Sequence, residues 1–430
     1  MSMQEEKISY EDTLSVDTTG TSASKFYNFF PALRHKSFVL YTSGLFISLS
    51  GSWLQSVALG WLVLKLTNSA FMVGLAAAFG SLPILFFGLI GGVIVDRFDK
   101  KKIIFVTQSF FMLFSFILGI LTILNIINIY EIFILSFLTG VALAVDHPAR
   151  QSFAIEMVGK EDLASAISLN SGIFNSSRVI GPALAGFAIA LVSIGGVFLI
   201  NALTFIAFFI ALFYVKVRDL PFTDHPKPFE SLKEGVAYSF SHSTIRTLLI
   251  FSAISAIFGW SYLTLMPVIV SEIYHKGAES LGYFFSAFGA GALISVFIVS
   301  WLSKKMNYLF FIFGGAFIFG VSLFAFTYTS NYLAAMLLLF LTGIGLLTQF
   351  STINSTIQHN VEDRIRGRVM SVYSLMFLGM APFGSFEVGY VAEHYSPLFS
   401  LRIGALIILF CTLILFLFKK RLLKISSSEK

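Results

Sequence analysis

Apolar stretches long enough to cross a lipid bilayer recur along the whole of this chain. A helix needs about 20 consecutive apolar residues to span the hydrocarbon core, and polar breaks separate twelve such stretches among the 430 residues. Twelve spans leave only short loops, so a separate soluble catalytic domain has no room. The spans are predicted at about 38–64, 70–95, 103–124, 131–153, 164–190, 195–215, 245–270, 279–302, 308–328, 332–356, 367–392 and 396–418. The predicted fold class is an all-α membrane protein with twelve transmembrane helices.

The composition excludes several classes of function. Only 12% of the residues are charged, about half the fraction in an average soluble domain. The single cysteine, Cys411, lies in an apolar stretch and the seven histidines are scattered, so neither a disulfide framework nor a metal site is predicted. The sequence contains no phosphate loop of the G-x-x-x-x-G-K-[ST] type and no nucleophile–base pair recognisable in the spans. We therefore expect no cofactor, no ATP-driven step within this chain and no enzymatic activity.

Lysine and arginine are distributed unevenly between the two sides of the predicted membrane. With the N-terminus placed inside, 26 of the 29 basic residues fall on the inner side, and the exceptions are Lys65, Lys276 and Arg402. Because cytoplasmic loops carry such an excess, both termini are predicted to be cytoplasmic. The net charge of +6 follows from this topology, so nucleic-acid binding is not needed to explain it. An N-terminus without an apolar leader, together with this asymmetry, predicts a bacterial inner (cell) membrane.

A long loop divides the spans into two sets of six. Within it Phe229, Leu232, Val236 and Phe240 recur at helical spacing, which predicts an amphipathic helix at the membrane interface. The predicted organisation is a disordered N-terminal tail (1–37), an N-terminal six-helix bundle (38–217), a cytoplasmic linker (218–244), a C-terminal six-helix bundle (245–418) and a basic tail (419–430).

The two sets of spans carry traces of an internal repeat. F-L-T-G occurs at 137–140 and at 340–343, inside the fourth span of each half, at an offset of 203 residues. A second echo links Gly181-Pro182 to Ala381-Pro382, at an offset of 200. Two echoes at nearly one offset predict two six-helix pseudo-repeats, an arrangement in which transporters place the substrate site between the halves.

The loop between spans 2 and 3 resembles the signature loop of the major facilitator superfamily, G-x-x-x-D-R-x-G-R-R. The matching residues are Gly92, Asp96, Arg97, Lys100 and Lys101, whereas Asp99 stands where the pattern has glycine. A glycine at 92 would allow close helix approach, and Asp96 can face the positive N-terminus of another helix. The resemblance implies a gating role, in which Asp96 clamps the start of span 11 in the outward-facing state and releases it on switching.

Further motifs narrow the resemblance to one branch of that superfamily. They are D-H-P-A-R-Q at 146–151, L-N-S at 169–171, R-V-I-G-P-A-L-A-G at 178–186, W-L-Q at 53–55 and R-G-R at 366–368. Together they resemble the drug- and siderophore-efflux branch, which includes macrolide exporters and the enterobactin exporter. The resemblance covers roughly residues 38–418 and implies the major facilitator fold and the activity of a secondary active transporter.

A Gly-Pro element in span 5 resembles the antiporter motif of exporters, G-x-x-x-G-P-x-x-G-G. Its candidate residues are Ser177, Gly181, Pro182 and Gly186, with Ser177 and Ala185 replacing two glycines of the pattern. Ser177, Gly181 and Ala185 still form a ridge of small side chains, which permits tight helix packing. The resemblance implies export.

Ionisable residues inside the spans are costly and are functional candidates by default. Asp146 in span 4 can pair with Arg150 on its own face or with Arg178 in span 5. Such a pair is either a fixed structural ion pair or a switch for proton coupling. Glu387, near the outer end of span 11, is either a solvated rim carboxylate or a proton carrier.

Neutral polar residues recur within three otherwise apolar spans. Such stripes either line a cavity or bond neighbouring helices, and we assign them to the substrate cavity. The candidates are Ser48, Ser52 and Gln55 in span 1, Asn175 in span 5, and Ser351 and Ser355 in span 10.

The sequence thus predicts a monomeric secondary transporter in the lipid bilayer. The favoured function is proton-coupled efflux of a small amphipathic organic molecule, such as a drug, a siderophore or a secreted metabolite. The alternative is an importer or facilitator of a nutrient or an iron chelate with the same fold.

Overall fold

The computed structural model describes residues 30–159, 161–217, 228–302 and 306–417. Most of the predicted tails and residues 218–227 of the linker lie outside the described residues. We label the membrane helices α1 to α12, and a separate linker helix covers Pro228–Ser241. The membrane helices are Lys36–Thr67 (α1), Ala70–Arg97 (α2), Lys100–Ile123 (α3), Ile129–Val158 (α4), Leu163–Tyr214 (α5 and α6), Ser243–Ile273 (α7), Ala278–Leu302 (α8), Tyr308–Phe326 (α9), Tyr332–His359 (α10), Asp363–Leu378 and Ala381–His394 (α11), and Pro397–Leu417 (α12).

Within the described residues, eleven helices are long and apolar enough to cross a membrane. One of them, Leu163–Tyr214, contains two spans that meet at Ser193, whose φ of 68° and ψ of 170° are not helical. Its two parts run in opposite directions along α1. Ser177 and Gly181 meet α1 at Phe46 and Ser50, whereas Asn201 and Phe208 meet it at Gly51 and Gly44. The chain therefore reverses at Ser193, and the predicted twelve-helix fold is confirmed.

Several of these helices begin where a polar side chain caps the first turn. The side chains of Ser69, Asp99, Asn307 and Asn331 each accept a hydrogen bond from a backbone N–H of the helix that follows. Asn128 forms a full capping box with Glu131 at the start of α4. Such caps satisfy N–H groups that have no partner within the helix, which fixes the ends of the spans in the sequence.

Glycine contacts show the pseudo-repeat directly. Gly140 of α4 packs on the backbone of Gly80 in α2, and Gly343 of α10 packs in the same way on Phe288 in α8. The two F-L-T-G glycines thus occupy equivalent places, each packed on the second helix of its own half. In α5 and α11 the equivalent residues are Gly181 and Gly384, which pack on α1 and α7. They also lie 203 residues apart, so the Gly-Pro echo at an offset of 200 is about one helical turn out of register.

The two halves touch mainly near one end of the bundle. We call the end that carries Lys36 and Leu417 the terminal face, and the opposite end the far face. Toward the far face, a methyl group on Gly74 of α2 would overlap the backbone of α11 near Gly389, and one on Gly186 of α5 would overlap the backbone of α8 near Gly282. Because these glycines have no Cβ, the helix backbones approach closely, and the space between the halves is closed at the far face.

Helix α7 is irregular along its middle. A π-helical turn at Ser255–Gly259 is followed by a 3₁₀ segment, Trp260–Leu265, and a second π-helical turn lies at Ile269–Ile273. Such turns are uncommon inside helices and are often found at functional sites. Trp260, in the 3₁₀ segment, contacts Arg178 in α5 of the other half.

Candidate coupling network and substrate pathway

Asp146 is buried inside the N-terminal half, with a side chain that is 1% exposed. Its carboxylate forms an ion pair with Arg150, one turn further along α4. The Oδ1 atom also accepts hydrogen bonds from the Thr107 hydroxyl at 2.6 Å and from the Gln108 side-chain amide at 2.9 Å. A buried charge persists only when it is paired and hydrogen-bonded, and this one is both. Of the two arginines that the sequence allowed as partners, the structure uses Arg150.

Gln108 links this ion pair to α1. Its side-chain oxygen accepts a hydrogen bond from the hydroxyl of Ser48 at 3.4 Å, and Ser48 is buried. The structure therefore corrects the expectation that Ser48 lines the substrate cavity. Helical spacing showed that Ser48 lies on a polar face, but it could not show that this face packs against α3.

The other polar residues of α1 also bond within the N-terminal half. The side-chain oxygen of Gln55 accepts a hydrogen bond from Asn201 of α6 at 2.8 Å. The Ser52 hydroxyl donates to the carbonyl of Ser48 at 2.9 Å. Ser52 and Gln55 are only partly buried, so their assignment to the substrate cavity stays a prediction, whereas that of Ser48 is corrected.

The polar candidates on α10 are accessible. Ser351 and Ser355 are both exposed, on the face of α10 that also carries Asn354 and Gln358. Toward the terminal face this surface forms a polar cavity lined by Asn354, Ser355, Gln358, His359 and Arg366. Its position fits the predicted role of Ser355 in a substrate pathway.

Arg178 lies apart from Asp146 and faces the other half of the molecule. Its guanidinium carbon is 4.5 Å from the centroid of the Trp260 ring in α7 and 5.8 Å from that of Phe174. One guanidinium N–H donates to the side-chain oxygen of Asn175 at 2.8 Å. Asn175 is itself exposed, and its role in a substrate cavity stays a prediction. The structure therefore removes Arg178 from the predicted ion pair and places it between the halves.

Glu387 is half-buried in the second part of α11. None of the described residues forms a hydrogen bond or an ion pair with its carboxylate. At the offset of 203 its counterpart is Leu184, which is exposed on α5. Its place in the fold fits the rim carboxylate better than a relay connected to Asp146.

Three residues of the loop between α2 and α3 make contacts within the N-terminal half. Asp99 caps α3 by accepting the N–H of Lys102 at 2.8 Å, which gives the departure from the superfamily pattern a structural purpose. Lys100 pairs with Glu156 of α4 at 2.6 Å, and Lys101 donates to the carbonyl of Val215 at 2.7 Å. These bonds hold the loop against the N-terminal half.

Two residues of that loop differ from expectation. A methyl group on Gly92 would meet open space, whereas one on Gly91 would overlap the carbonyl oxygen of Ala144. The close helix approach therefore belongs to Gly91, because that position faces α4. None of the described residues forms a hydrogen bond or an ion pair with Asp96 or Arg97, so in this conformation Asp96 does not clamp α11.

The antiporter-like element packs α5 against two different helices. Ser177 and Ala185 are buried, and a methyl group on Gly181 would overlap the backbone of Ser50 in α1. Pro182 is also buried in α5. Gly186 faces the opposite way and meets α8 across the interface between the halves. The predicted ridge of small residues is thus a packing surface for α1, and Gly186 belongs to the far-face closure.

Two carboxylates outside the sequence prediction also join separate elements. Glu393, at the end of α11, accepts hydrogen bonds from the Ser69 hydroxyl at 2.9 Å and from the N–H of Phe71 at 3.1 Å. Glu393 therefore caps the N-terminus of α2 across the two halves. Glu234 of the linker helix pairs with Arg364 at 3.2 Å and also with Arg368. Both contacts join residues that are far apart in the sequence, so helical periodicity could not reveal them.

Twelve helices in two pseudo-equivalent halves, closed at one end and holding a buried ion pair, define a transporter of the major facilitator superfamily. The chain belongs to the family described as "Transmembrane secretion effector", whose model matches residues 28–429. The predicted superfamily, fold class and absence of enzymatic function are confirmed by this family and by the relatives below.

Among curated proteins, the chain is 28% identical to the staphyloferrin A transporter of Staphylococcus aureus over 394 residues, which cover 90% of this chain and 98% of that protein. It is 22% identical to macrolide efflux protein A of Streptococcus pyogenes over 284 residues, covering 65% of this chain and 70% of that protein. Among solved structures, a bacterial homologue of the human lysosomal transporter Spinster, in an inward-facing and occupied conformation, matches with a TM-score of 0.74 at 13% identity, covering 94% of this chain and 99% of that chain. The chain is therefore a multi-pass membrane transporter of small molecules.

Proposed function

We propose that this protein is a monomeric, proton-coupled exporter of a small amphipathic organic molecule, working by alternating access in a bacterial cell membrane. The observation that carries the proposal is the separation of two sites. The ionisable pair of Asp146 and Arg150 lies inside the N-terminal half, while Arg178 contacts the other half and the polar cavity lies in the C-terminal half, between α10 and α11. Proton coupling and substrate binding would then use different residues, and movement of the halves would link them.

Export, as opposed to import, is supported by the relatives. The description of the family names secretion, and the name of macrolide efflux protein A indicates efflux. With the basic residues inside, the terminal face is cytoplasmic and the closed far face is outside, as in a transporter that collects its substrate from the cytoplasm.

Proton coupling through Asp146 is supported by its surroundings. A proton on Asp146 would remove the charge that Arg150 balances and would leave the arginine without a partner in a buried site. This penalty differs between conformations if helix movement changes the access of Arg150 to solvent. Protonation of Asp146 would in that way be tied to the exchange of conformations.

Transport by everted membrane vesicles tests direction and coupling together. Vesicles that contain the protein are acidified inside, and uptake of labelled staphyloferrin A and of a labelled macrolide is followed with and without an uncoupler. An exporter accumulates its substrate only while the proton gradient lasts. Gradient-driven accumulation by right-side-out vesicles, with none by everted ones, would favour the importer.

A further inference from the structure

The geometry points to Arg178 as a binding subsite for a carboxylate of the transported molecule, an inference that rests on the proposed transport function. The substrate class that fits this subsite is an organic anion with a carboxylate next to a flat, apolar body. The subsite is formed by the guanidinium of Arg178, the side chain of Asn175 and the rings of Trp260 and Phe174.

The first support is an unbalanced charge. An arginine within the membrane is costly and normally pairs with an acidic group. None of the described carboxylates pairs with Arg178, and its single described hydrogen bond goes to the neutral oxygen of Asn175. A guanidinium has five N–H donors in a fork that matches a carboxylate, so donors remain for an anionic ligand.

The second support is the position of Arg178 at the junction of the two halves. It extends from α5 of the N-terminal half to Trp260 in the irregular segment of α7. Next to it, Asn175 is exposed, as is Ser171 one turn earlier along α5. A molecule bound at the guanidinium would therefore contact both halves.

The third support is the aromatic wall around the cation. Trp260 packs edge-on against Phe288, Phe350 and Phe377, with ring centroids 5.8 to 6.5 Å apart. On the other half Phe174 packs against Trp53 at 6.0 Å. Rings hold the arginine by cation–π contact, but they cannot neutralise it. They provide flat apolar surface for the body of a ligand whose carboxylate binds the guanidinium.

Trp260 provides a direct reporter of binding. The other three tryptophans, Trp53, Trp61 and Trp301, are replaced by phenylalanine, and the fluorescence of Trp260 is followed in the full chain reconstituted in nanodiscs without a gradient. The ligands are matched pairs of a carboxylate and its amide, with aryl, alkyl and hydroxy-acid bodies, such as 1-naphthylacetate and 1-naphthylacetamide. We expect at least one carboxylate to bind about tenfold to a hundredfold more tightly than its amide, as the loss of a hydrogen bond to a charged group predicts.

Variants assign this preference to Arg178. Arg178→Gln should abolish the preference for the carboxylate, and Arg178→Lys should retain part of it. The matched control is Arg402→Gln. Arg402 also stacks on a ring, with its guanidinium carbon 4.2 Å from the centroid of Tyr328, but it lies at the far face and donates to Thr327. This control should leave the preference unchanged.

The inference is overturned if no carboxylate binds more tightly than its matched amide. It is also overturned if the Arg178→Gln variant prefers the carboxylate as strongly as the protein that retains Arg178. Thermal unfolding of each variant separates loss of binding from loss of the fold, and Arg178→Lys gives a second test if the glutamine variant does not fold. Because binding is measured without a gradient, these outcomes are independent of the vesicle experiment. A chain that exports neutral molecules fails here but accumulates them in everted vesicles.

Discussion

At the scale of single residues, the buried ion pair in α4 shows how one position can carry both structure and function. Asp146 is satisfied by Arg150, Thr107 and Gln108. Its counterpart at the offset of 203 is Gln349, which is equally buried and donates to Ser255 at 2.6 Å. A neutral amide therefore serves the same place in the C-terminal half, so the charge at Asp146 is not an intrinsic need of the fold.

The first prediction concerns Asp146→Asn. Removing one partner of a buried pair leaves Arg150 uncompensated and costs about 3–5 kcal/mol, so expression should fall. The double variant with Arg150→Gln removes both charges and should restore folding, measured by thermal unfolding, but not accumulation driven by a pH gradient. Exchange of labelled for unlabelled substrate without a gradient should persist.

The control for this experiment is Asp162→Asn. It removes another carboxylate of the N-terminal half, one that bonds His35 at 2.8 Å near the terminal face, and should leave gradient-driven transport intact. A well-folded double variant that pumps like the unmodified protein would show that Asp146 does not couple protons.

At the scale of elements, α2 and α11 are joined by a helix cap at the far face, and the superfamily resemblance implies a second cap near the terminal face. At the far face Glu393 of α11 caps the N-terminus of α2. Near the terminal face Asp96 lies at the end of α2, where the superfamily resemblance implies that it caps α11 in the other conformation. Each helix would thus hold the N-terminus of the other in one state only, because an anion at a helix N-terminus is favourable.

The second prediction is that Glu393→Gln favours opening of the far face. Loss of an anion from a helix N-terminus costs roughly 0.3–2 kcal/mol, so the ratio of the two conformations should change by a factor of roughly two to thirty. The measurement is alkylation by an impermeant reagent of a cysteine at Ala183, which faces Gly282 across the interface, in a Cys411→Ser background. Alkylation should become faster.

The third prediction is that Asp96→Asn acts in the opposite direction. Asp96 has no hydrogen bond or ion pair with the described residues in this conformation, so we expect its charge to stabilise the other one. Alkylation of the cysteine at Ala183 should therefore become slower than in the parent, while thermal stability is retained. If both variants change the rate in the same direction, the two carboxylates do not act as alternating caps.

At the scale of the whole molecule, the functional interpretation of the two faces depends on which of them is cytoplasmic. The basic residues predict that the terminal face lies inside. The polar cavity between α10 and α11 and the linker helix then face the cytoplasm, and the glycine contacts of α2, α5, α8 and α11 close the outer side. The interpretation of the transport and cysteine-accessibility experiments therefore depends on this orientation.

The fourth prediction tests the orientation with two cysteines at opposite ends of α9. Ser330 and Met306 are both exposed, and 19 residues of helix separate their ends of the span. In a Cys411→Ser background, cysteine at Ser330 should react with an impermeant thiol reagent added to intact cells, and cysteine at Met306 should react only after permeabilisation. The reverse pattern would invert the topology.

The sequence by itself determined the spans and the class of fold. Apolar length and helix-starting residues such as Ser69 and Asn128 are local properties, so they can be read without knowing the packing. The pairing of Asp146 with Arg150 was also within reach, because residues four apart on a helix are neighbours.

Only the tertiary structure decided which helix each polar face meets. Ser48 and Gln55 follow a helical period as cavity residues would, yet they bond α3 and α6. Arg178 and Trp260 are far apart in sequence, and only the packing of α5 against α7 brings them together. Periodicity fixes the direction of a side chain around its own helix axis, but the partner it meets depends on how helices distant in sequence pack.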